Sequence, residues 1–294
     1  MKLGLHLSRW KWDADASTLA PKLRDIARSA EDAGFASLSV MDHFFQIPTN
    51  GEHEDPMLEA YTTLGYVAGV TQRLTLGTVV TSPTYRQPGV LVKQVTTLDV
   101  LSQGRAFLGI GAGFFDVEHE GLGIRLPPVA ERMRRLEETL QIALQMWRGD
   151  AKPFEGHYYQ LAETLNVPQS LQRPHPPILV GGGGEQKTLK IAAQYANAVN
   201  LFGGMGVEQL QHKLDVLRQH CADASRDYDA IEKTVQMQFD AVMQGPEATQ
   251  AMIETLRSYA SLGFTRAIGS IRGVESLQAI EALGRDVIPA VEPM

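Results

Sequence analysis

Residues 41–44 read Met41-Asp42-His43-Phe44, a carboxylate beside an imidazole in an otherwise apolar run. Desolvation and a neighbouring charge can poise such a histidine for proton transfer near neutral pH, whereas the plain alternative is a salt-bridged or loop-capping pair. A second run, Gly181-Gly182-Gly183-Gly184, precedes a helix predicted to start near Glu185. Amides free of side chains at a helix N-terminus suit a phosphate, and a tight bend is the alternative. Gly109, Gly111 and Gly113 alternate along another run. They leave one face bare for a flat ligand, or they relieve packing inside a sheet. Thr81, Ser82 and Thr84 lie in a turn broken by Pro83 and Pro88, which supplies neutral donors or is an ordinary strand-to-helix connection. Glu118-His119-Glu120 could touch substrate or move a proton, but a solvated charged loop is the preferred reading. His6, His43, His53 and His119 with Asp42 and Asp116 could ligate a metal, yet neither HxxxH nor HExxH spacing occurs. GxGxxG and GxxxxGK[ST] are absent too, against the usual dinucleotide and nucleoside triphosphate sites. Cys221, on a predicted helix without catalytic neighbours, reads as a bystander.

These residues need elements to hold them. Short apolar runs bounded by turns predict strands at 2–7, 37–44, 74–81, 106–113, 178–183, 198–201, 235–243 and 266–271. Helical periodicity alternates with them at 17–33 (Ser17 as N-cap), 58–70, 89–102, 130–148, 186–195, 207–224, 247–260 and 274–284. In 130–148 the stripe Met133, Leu136, Leu140, Ala143, Leu144 and Trp147 predicts a core-facing side. Eightfold alternation without a composition break predicts an α/β fold, a (β/α)8 TIM barrel forming one domain over 1–294, with a doubly wound sheet as the alternative. Chemistry in such a barrel sits where strands end and helices begin, which is where the runs above fall. The proline-rich excursion at 150–177, between strands four and five, is too long for an idle connection and is expected to hang over the C-terminal mouth.

Composition narrows the partners. Lys plus Arg number 27 against 34 Asp plus Glu, a formal charge of −7 with the basic residues scattered. No footprint for nucleic acid or an anionic membrane results. A single cysteine, no apolar run of spanning length and no signal-peptide core make a cytoplasmic protein with a small-molecule substrate the expectation.

Taken jointly, Met41–Phe44, LTLGTVVTSPTYRQPG at 74–89, LSQGRAFLGIGAG at 101–113 and RPHPPILVGGGGEQKTLKIAAQYANAVN at 173–200 resemble the bacterial luciferase-like superfamily over almost the whole chain. The pattern is most similar to the branch that uses the deazaflavin coenzyme F-420 (8-hydroxy-5-deazaflavin). The resemblance implies a non-prolyl cis peptide in a bulge after strand three, at Val79-Val80, supporting the deazaflavin ring. It implies contacts from Asp42 and His43 to the ring's polar edge and reacting face. It implies a ribityl chain and phosphate held around Ser82, Gly111, Gly113 and Gly182-Gly183-Gly184 up to Glu185, and a homodimer paired through helices of the first half of the barrel. Sugar-phosphate dehydrogenases of this branch carry an acidic proton donor just after the strand-four glycines and a tryptophan beyond the Asp-His pair. Phe114 and Ile47 stand there instead, which removes the sugar-phosphate assignment.

The expectation is therefore an oxidoreductase moving a hydride between coenzyme F-420 and a small organic substrate, with His43 positioning or protonating substrate and Asp42 setting its tautomer or the ring's hydrogen bonds. An FMN-dependent monooxygenase using dioxygen is the alternative. A flavin-binding protein without turnover and a metal-dependent barrel hydrolase are further readings. Phe114, Phe115, Phe154, Tyr158 and Tyr159 suggest an apolar or planar substrate, or a lid packing on itself.

Overall fold

A computed structural model describes residues 1–12 and 15–292. Among the described residues ten strands occur in chain order: β1 (Lys2–Leu7), β2 (Ser37–Val40), β3 (Thr75–Thr78), β4 (Ala106–Ile110), β5 (Phe154–Glu155), β6 (Gln160–Leu161), β7 (Ile178–Gly181), β8 (Ala198–Phe202), β9 (Glu232–Gln238) and β10 (Arg266–Ser270). Eight of them close a parallel barrel in the order β1-β10-β9-β8-β7-β4-β3-β2, while β5 and β6 form an antiparallel hairpin. The α-helices are α1 (Leu19–Asp32), α2 (Ala60–Val70), α3 (Pro88–Leu101), α4 (Asp116–Gly121), α5 (Val129–Trp147), α6 (Thr188–Tyr195), α7 (Val207–Asp223), α8 (Pro246–Ser261), α9 (Gln278–Ala282) and α10 (Ile288–Val291).

Strand alternation sorts side chains into two layers. Leu3, Leu5, Leu7, Leu38 and Val40 face the helices in the large outer core, whereas Phe107, Leu179, Ala198, Ile268 and Val79 form a separate cluster inside the barrel. Phe107 fits because its neighbours lack side chains: a Cβ on Gly77 would lie 2.7 Å from its ring. This cluster packs the barrel interior beneath the mouth.

Several boundaries differ from those expected. Asp15, not Ser17, caps the first helical turn, accepting from the Ser17 amide at 2.8 Å. The strand expected at 235–243 runs from Glu232 to Gln238, because its first residues are polar and break the apolar pattern. The helix expected at 274–284 is a series of short segments ending in α10.

The 150–177 insertion follows α5 and precedes β7, so it begins and ends at the N-terminal end of the strands, opposite the mouth. Leu171 and Gln172 amides bind the Asp99 carboxylate there at 2.6 and 3.1 Å, and Gln172 Nε2 reaches the Ala106 carbonyl at 2.6 Å. From that end the hairpin climbs the outside of the barrel. The amides of His157, Tyr158 and Tyr159 bind the Glu138 carboxylate on α5, and the Tyr159 hydroxyl donates to Pro83 O at 3.1 Å. No residue of 150–177 lines the mouth cavity, so the expected lid is a buttress on the flank.

Candidate active site

At the C-terminal mouth a cavity of about 420 Å³ is lined by Asp42, His43, Val79, Val80, Ser82 and Gly113 among the residues singled out by sequence. The Val79-Val80 peptide is cis. Gly111 and the Gly182–Glu185 turn lie outside this lining. Gly111 is required by packing: a Cβ there would lie 2.7 Å from Val80 Cγ2, so its missing side chain lets the bulge close on β4. Gly113 has φ +72° and would place a Cβ 2.2 Å from Ser82 Oγ.

Asp42 and His43 are adjacent in sequence and have no partner in common. They lie just beyond β2, which ends at Val40, and each side chain takes its own set of partners. Asp42 is fully buried and accepts from Arg86 Nη1 at 2.6 Å, Arg86 Nη2 at 3.0 Å and Thr81 Oγ1 at 2.8 Å. Burial pushes its pKa above the ordinary carboxylate range, and the bidentate guanidinium pushes back. Arg86 also bonds Glu59 at 2.5 Å and stacks over Tyr61, so it is committed to the wall. Asp42 therefore does not set the tautomer of His43.

That task falls to Glu118. The run 118–120, read from sequence as a solvated loop, lies on the short helix α4, which is too brief to show a period, and Glu118 is fully buried. His43 Nδ1 lies 2.6 Å from Glu118 Oε1, and the Tyr85 hydroxyl donates to the same oxygen. Glu118 Oε2 accepts the Phe44 and Phe45 amides at 2.8 and 3.3 Å. Burial raises the Glu118 pKa, but the hydrogen bonds from His43 and Tyr85 outweigh it and hold the carboxyl below its usual range. An ionised Glu118 fixes the proton of His43 on Nδ1. Nε2 carries no hydrogen bond to protein among the described residues and belongs to a side chain lining the cavity. Phe114 and Phe115 pack edge-on against the imidazole at centroid distances of 5.6 and 5.9 Å. His119 is structural: Nδ1 meets Phe115 O at 2.5 Å and Nε2 meets Thr84 Oγ1 at 2.7 Å. Glu120 is exposed.

The glycine turn differs from expectation in two respects. Helix α6 begins at Thr188, three residues after Glu185, and the Gly182 amide is spent on Asn200 O at 3.0 Å. The amides of Gly183, Gly184 and Glu185 have no protein acceptor among the described residues. Gly182 has φ +120°, and a Cβ on Gly183 would lie 3.7 Å from Lys213 Cε. Lys213 Nζ pairs with the Glu185 carboxylate at 2.5 Å, which lowers the Glu185 pKa. Three unspent amides on successive residues are donors of the kind a phosphate requires, so this turn fits the phosphate end of a flavin or deazaflavin, with Lys213 already paired to Glu185 beside it.

A model of the luciferase-like monooxygenase family matches residues 5–283. The chain belongs to that family. Among its relatives is the F-420-dependent glucose-6-phosphate dehydrogenase of Kineococcus radiotolerans, 32% identical over 257 residues, which cover 86% of this chain and 73% of that protein. Two solved structures share the fold: the coenzyme F-420-dependent tetrahydromethanopterin reductase of Methanopyrus kandleri (TM-score 0.79, 20% identity, 98% of both chains) and an F-420-dependent secondary alcohol dehydrogenase holding an F-420–acetone adduct (TM-score 0.82, 18% identity, 99% of this chain and 98% of that one). This luciferase-like chain is thus an oxidoreductase built on a parallel barrel. Among the described residues no helix is long and apolar enough to cross a membrane.

Proposed function

We propose that this luciferase-like oxidoreductase uses coenzyme F-420 and interconverts an alcohol and a carbonyl compound. The observation that carries the reading is the His43–Glu118 pair at the mouth cavity, with Nε2 unengaged. When bound, the deazaflavin supplies a two-electron hydride acceptor or donor at its C5. The chain supplies the proton chemistry. In the oxidising direction His43 Nε2 accepts the hydroxyl proton as the substrate's carbon–hydrogen bond gives up its electron pair, and Glu118 stabilises the resulting imidazolium. In the reducing direction Nε2 returns that proton to the new alcohol oxygen. Residues Val79, Val80 and Ser82 line the wall proposed to hold the ring, and the amides of Gly183, Gly184 and Glu185 with Lys213 would hold its phosphate. Relatives named for coenzyme F-420 support this choice of cofactor. FMN with dioxygen is the alternative, supported by the family's description as luciferase-like monooxygenases.

A fluorescence titration of the purified chain with the deazaflavin, FMN and FAD tests the reading. We expect the deazaflavin to bind at least about tenfold more tightly than FMN. Preferential FMN binding with dioxygen consumption would replace the proposal by the monooxygenase reading, and binding without turnover of any alcohol or ketone by a flavin-binding role.

A further inference from the structure

The strand order divides the mouth into two continuous arcs. Strands β2, β3, β4 and β7 carry Asp42-His43, the Val79-Val80 bulge, the alternating glycines and the Gly182–Glu185 turn. Strands β8, β9, β10 and β1 form the other arc, with Asn200, Gln236, Gln238, Ser270 and His6 on the inward side.

Its carboxamides are oriented. The Thr234 hydroxyl, whose single proton is shared between Val199 O at 3.0 Å and Asn200 Oδ1 at 2.8 Å, faces the Asn200 oxygen, and Asn200 Nδ2 points toward Gln236 Oε1 at 3.5 Å. Ser270 Oγ donates to Gln238 Oε1 at 2.9 Å. Both glutamine oxygens are thus taken, and both Nε2 groups, without an acceptor among the described residues, remain as donors on side chains lining the cavity. His6, opposite Ser270 in the β1–β10 register by continuation of the Leu5–Gly269 pair, is buried and has its pKa lowered to about 4, so it brings no positive charge. No lysine or arginine lines the cavity among the described residues. The wall's guanidinium, Arg86, is already neutralised by Asp42 and Glu59, and the ionised Glu118 behind His43 disfavours a second anion. At the rim Phe114 and Phe202 are 64% and 62% exposed, offering apolar surface to whatever enters.

We infer that the substrate is an uncharged molecule with an apolar body and oxygen acceptors, bound by the Nε2 groups of Gln236 and Gln238, and that phosphate esters are excluded. This rests on His43 being the proton-exchanging residue, since that places substrate in this cavity. An anionic group entering here would shed water without meeting a cation, whereas a hydroxyl or carbonyl oxygen meets two oriented donors. Gln236 and Gln238 are accordingly specificity-determining residues.

Cyclohexanol and cyclohexyl phosphate share an apolar ring and differ in the phosphate, so they serve as probes. Calorimetric titration and saturation-transfer NMR of the full chain, with and without deazaflavin, should show cyclohexanol binding at least about tenfold more tightly. Gln236→Leu and Gln238→Leu should each weaken cyclohexanol about three- to tenfold, and Gln238→Lys should shift preference toward the phosphate. Equal affinity for both probes in the parent chain, no detectable cyclohexanol binding at about 10 mM, or leucine variants that bind like the parent overturns the inference. Circular dichroism of each variant checks folding, and the two glutamine positions test the same claim independently. Probe discrimination that survives while the deazaflavin fails to bind removes the cofactor reading and leaves this one standing.

Discussion

His43 is held by a residue 75 positions away, not by the carboxylate next to it. Sequence places both acids in view, but adjacency favours Asp42. Glu118→Gln keeps the shape and removes the charge that orients and stabilises the imidazole. We expect kcat to fall about 10- to 100-fold, with little change in KM or in cofactor binding; a loss confined to KM would contradict the positioning role. Burial gives His6 a different consequence. Its pKa drops from 6.5 to about 4 on folding, so between those values the unfolded chain binds a proton that the folded chain refuses. Stability therefore declines as pH falls from about 6.5 toward 4, by ~3 kcal/mol at most. Denaturant midpoints measured at pH 7 and pH 5 should show the decline, and His6→Asn should flatten it.

At the scale of elements, the recurring device is a carboxylate that gathers successive amides of a distant loop. Glu31 takes Gln72, Arg73 and Leu74; Asp99 takes Leu171 and Gln172; Glu118 takes Phe44 and Phe45; Glu138 takes His157, Tyr158 and Tyr159. A loop whose amides are satisfied from outside needs no regular structure of its own. Glu138→Ala should loosen the hairpin, lower stability by about 1–3 kcal/mol and speed hydrogen exchange at residues 157–159, while leaving turnover intact. The glycine turn yields a sharper test. Gly183 lacks the positive φ of Gly182, and a side chain there meets only ordinary contacts. Gly183→Val should therefore keep its melting temperature within about 2 °C yet weaken deazaflavin or FMN binding more than about tenfold; unchanged affinity for every flavin would remove the turn from the phosphate site. The eight barrel strands were legible in the sequence because buried strands announce themselves as apolar runs between turns. Helix α4, the amide clamps and the flank position of the insertion were not, since six residues show no period and clamps join residues far apart in the chain.

At the scale of the whole molecule, α2, α3 and the insertion border a groove of about 700 Å³ lined by Val90, Leu98, Leu101, Leu161 and Leu165. Val90, Leu101 and Leu165 are 55–65% exposed. Lys93 and Glu163 share this groove, so a twofold pairing can set the lysine of one copy against the glutamate of the other. The expected homodimer would bury this face, and light scattering at micromolar concentration should give twice the 32.3 kDa chain mass. Val90→Glu with Leu101→Glu should return it to one copy, and a parent chain that scatters as a monomer ends the proposal.

The two arcs of the mouth are also two tracts of gene. Residues 41–185 carry the bulge, the glycines and the pair proposed to handle the proton, whereas Asn200 through Ser270, joined by the opening strand, carry the carboxamide wall and, on α7, Lys213. Their seam near residues 186–197 is helix α6 with its flanking turns, away from both sets of side chains. Drift confined to the strands β8–β10 would hand a descendant a new appetite for substrates while the bulge, the glycine turn and its Lys213 neighbour on α7 passed down unaltered.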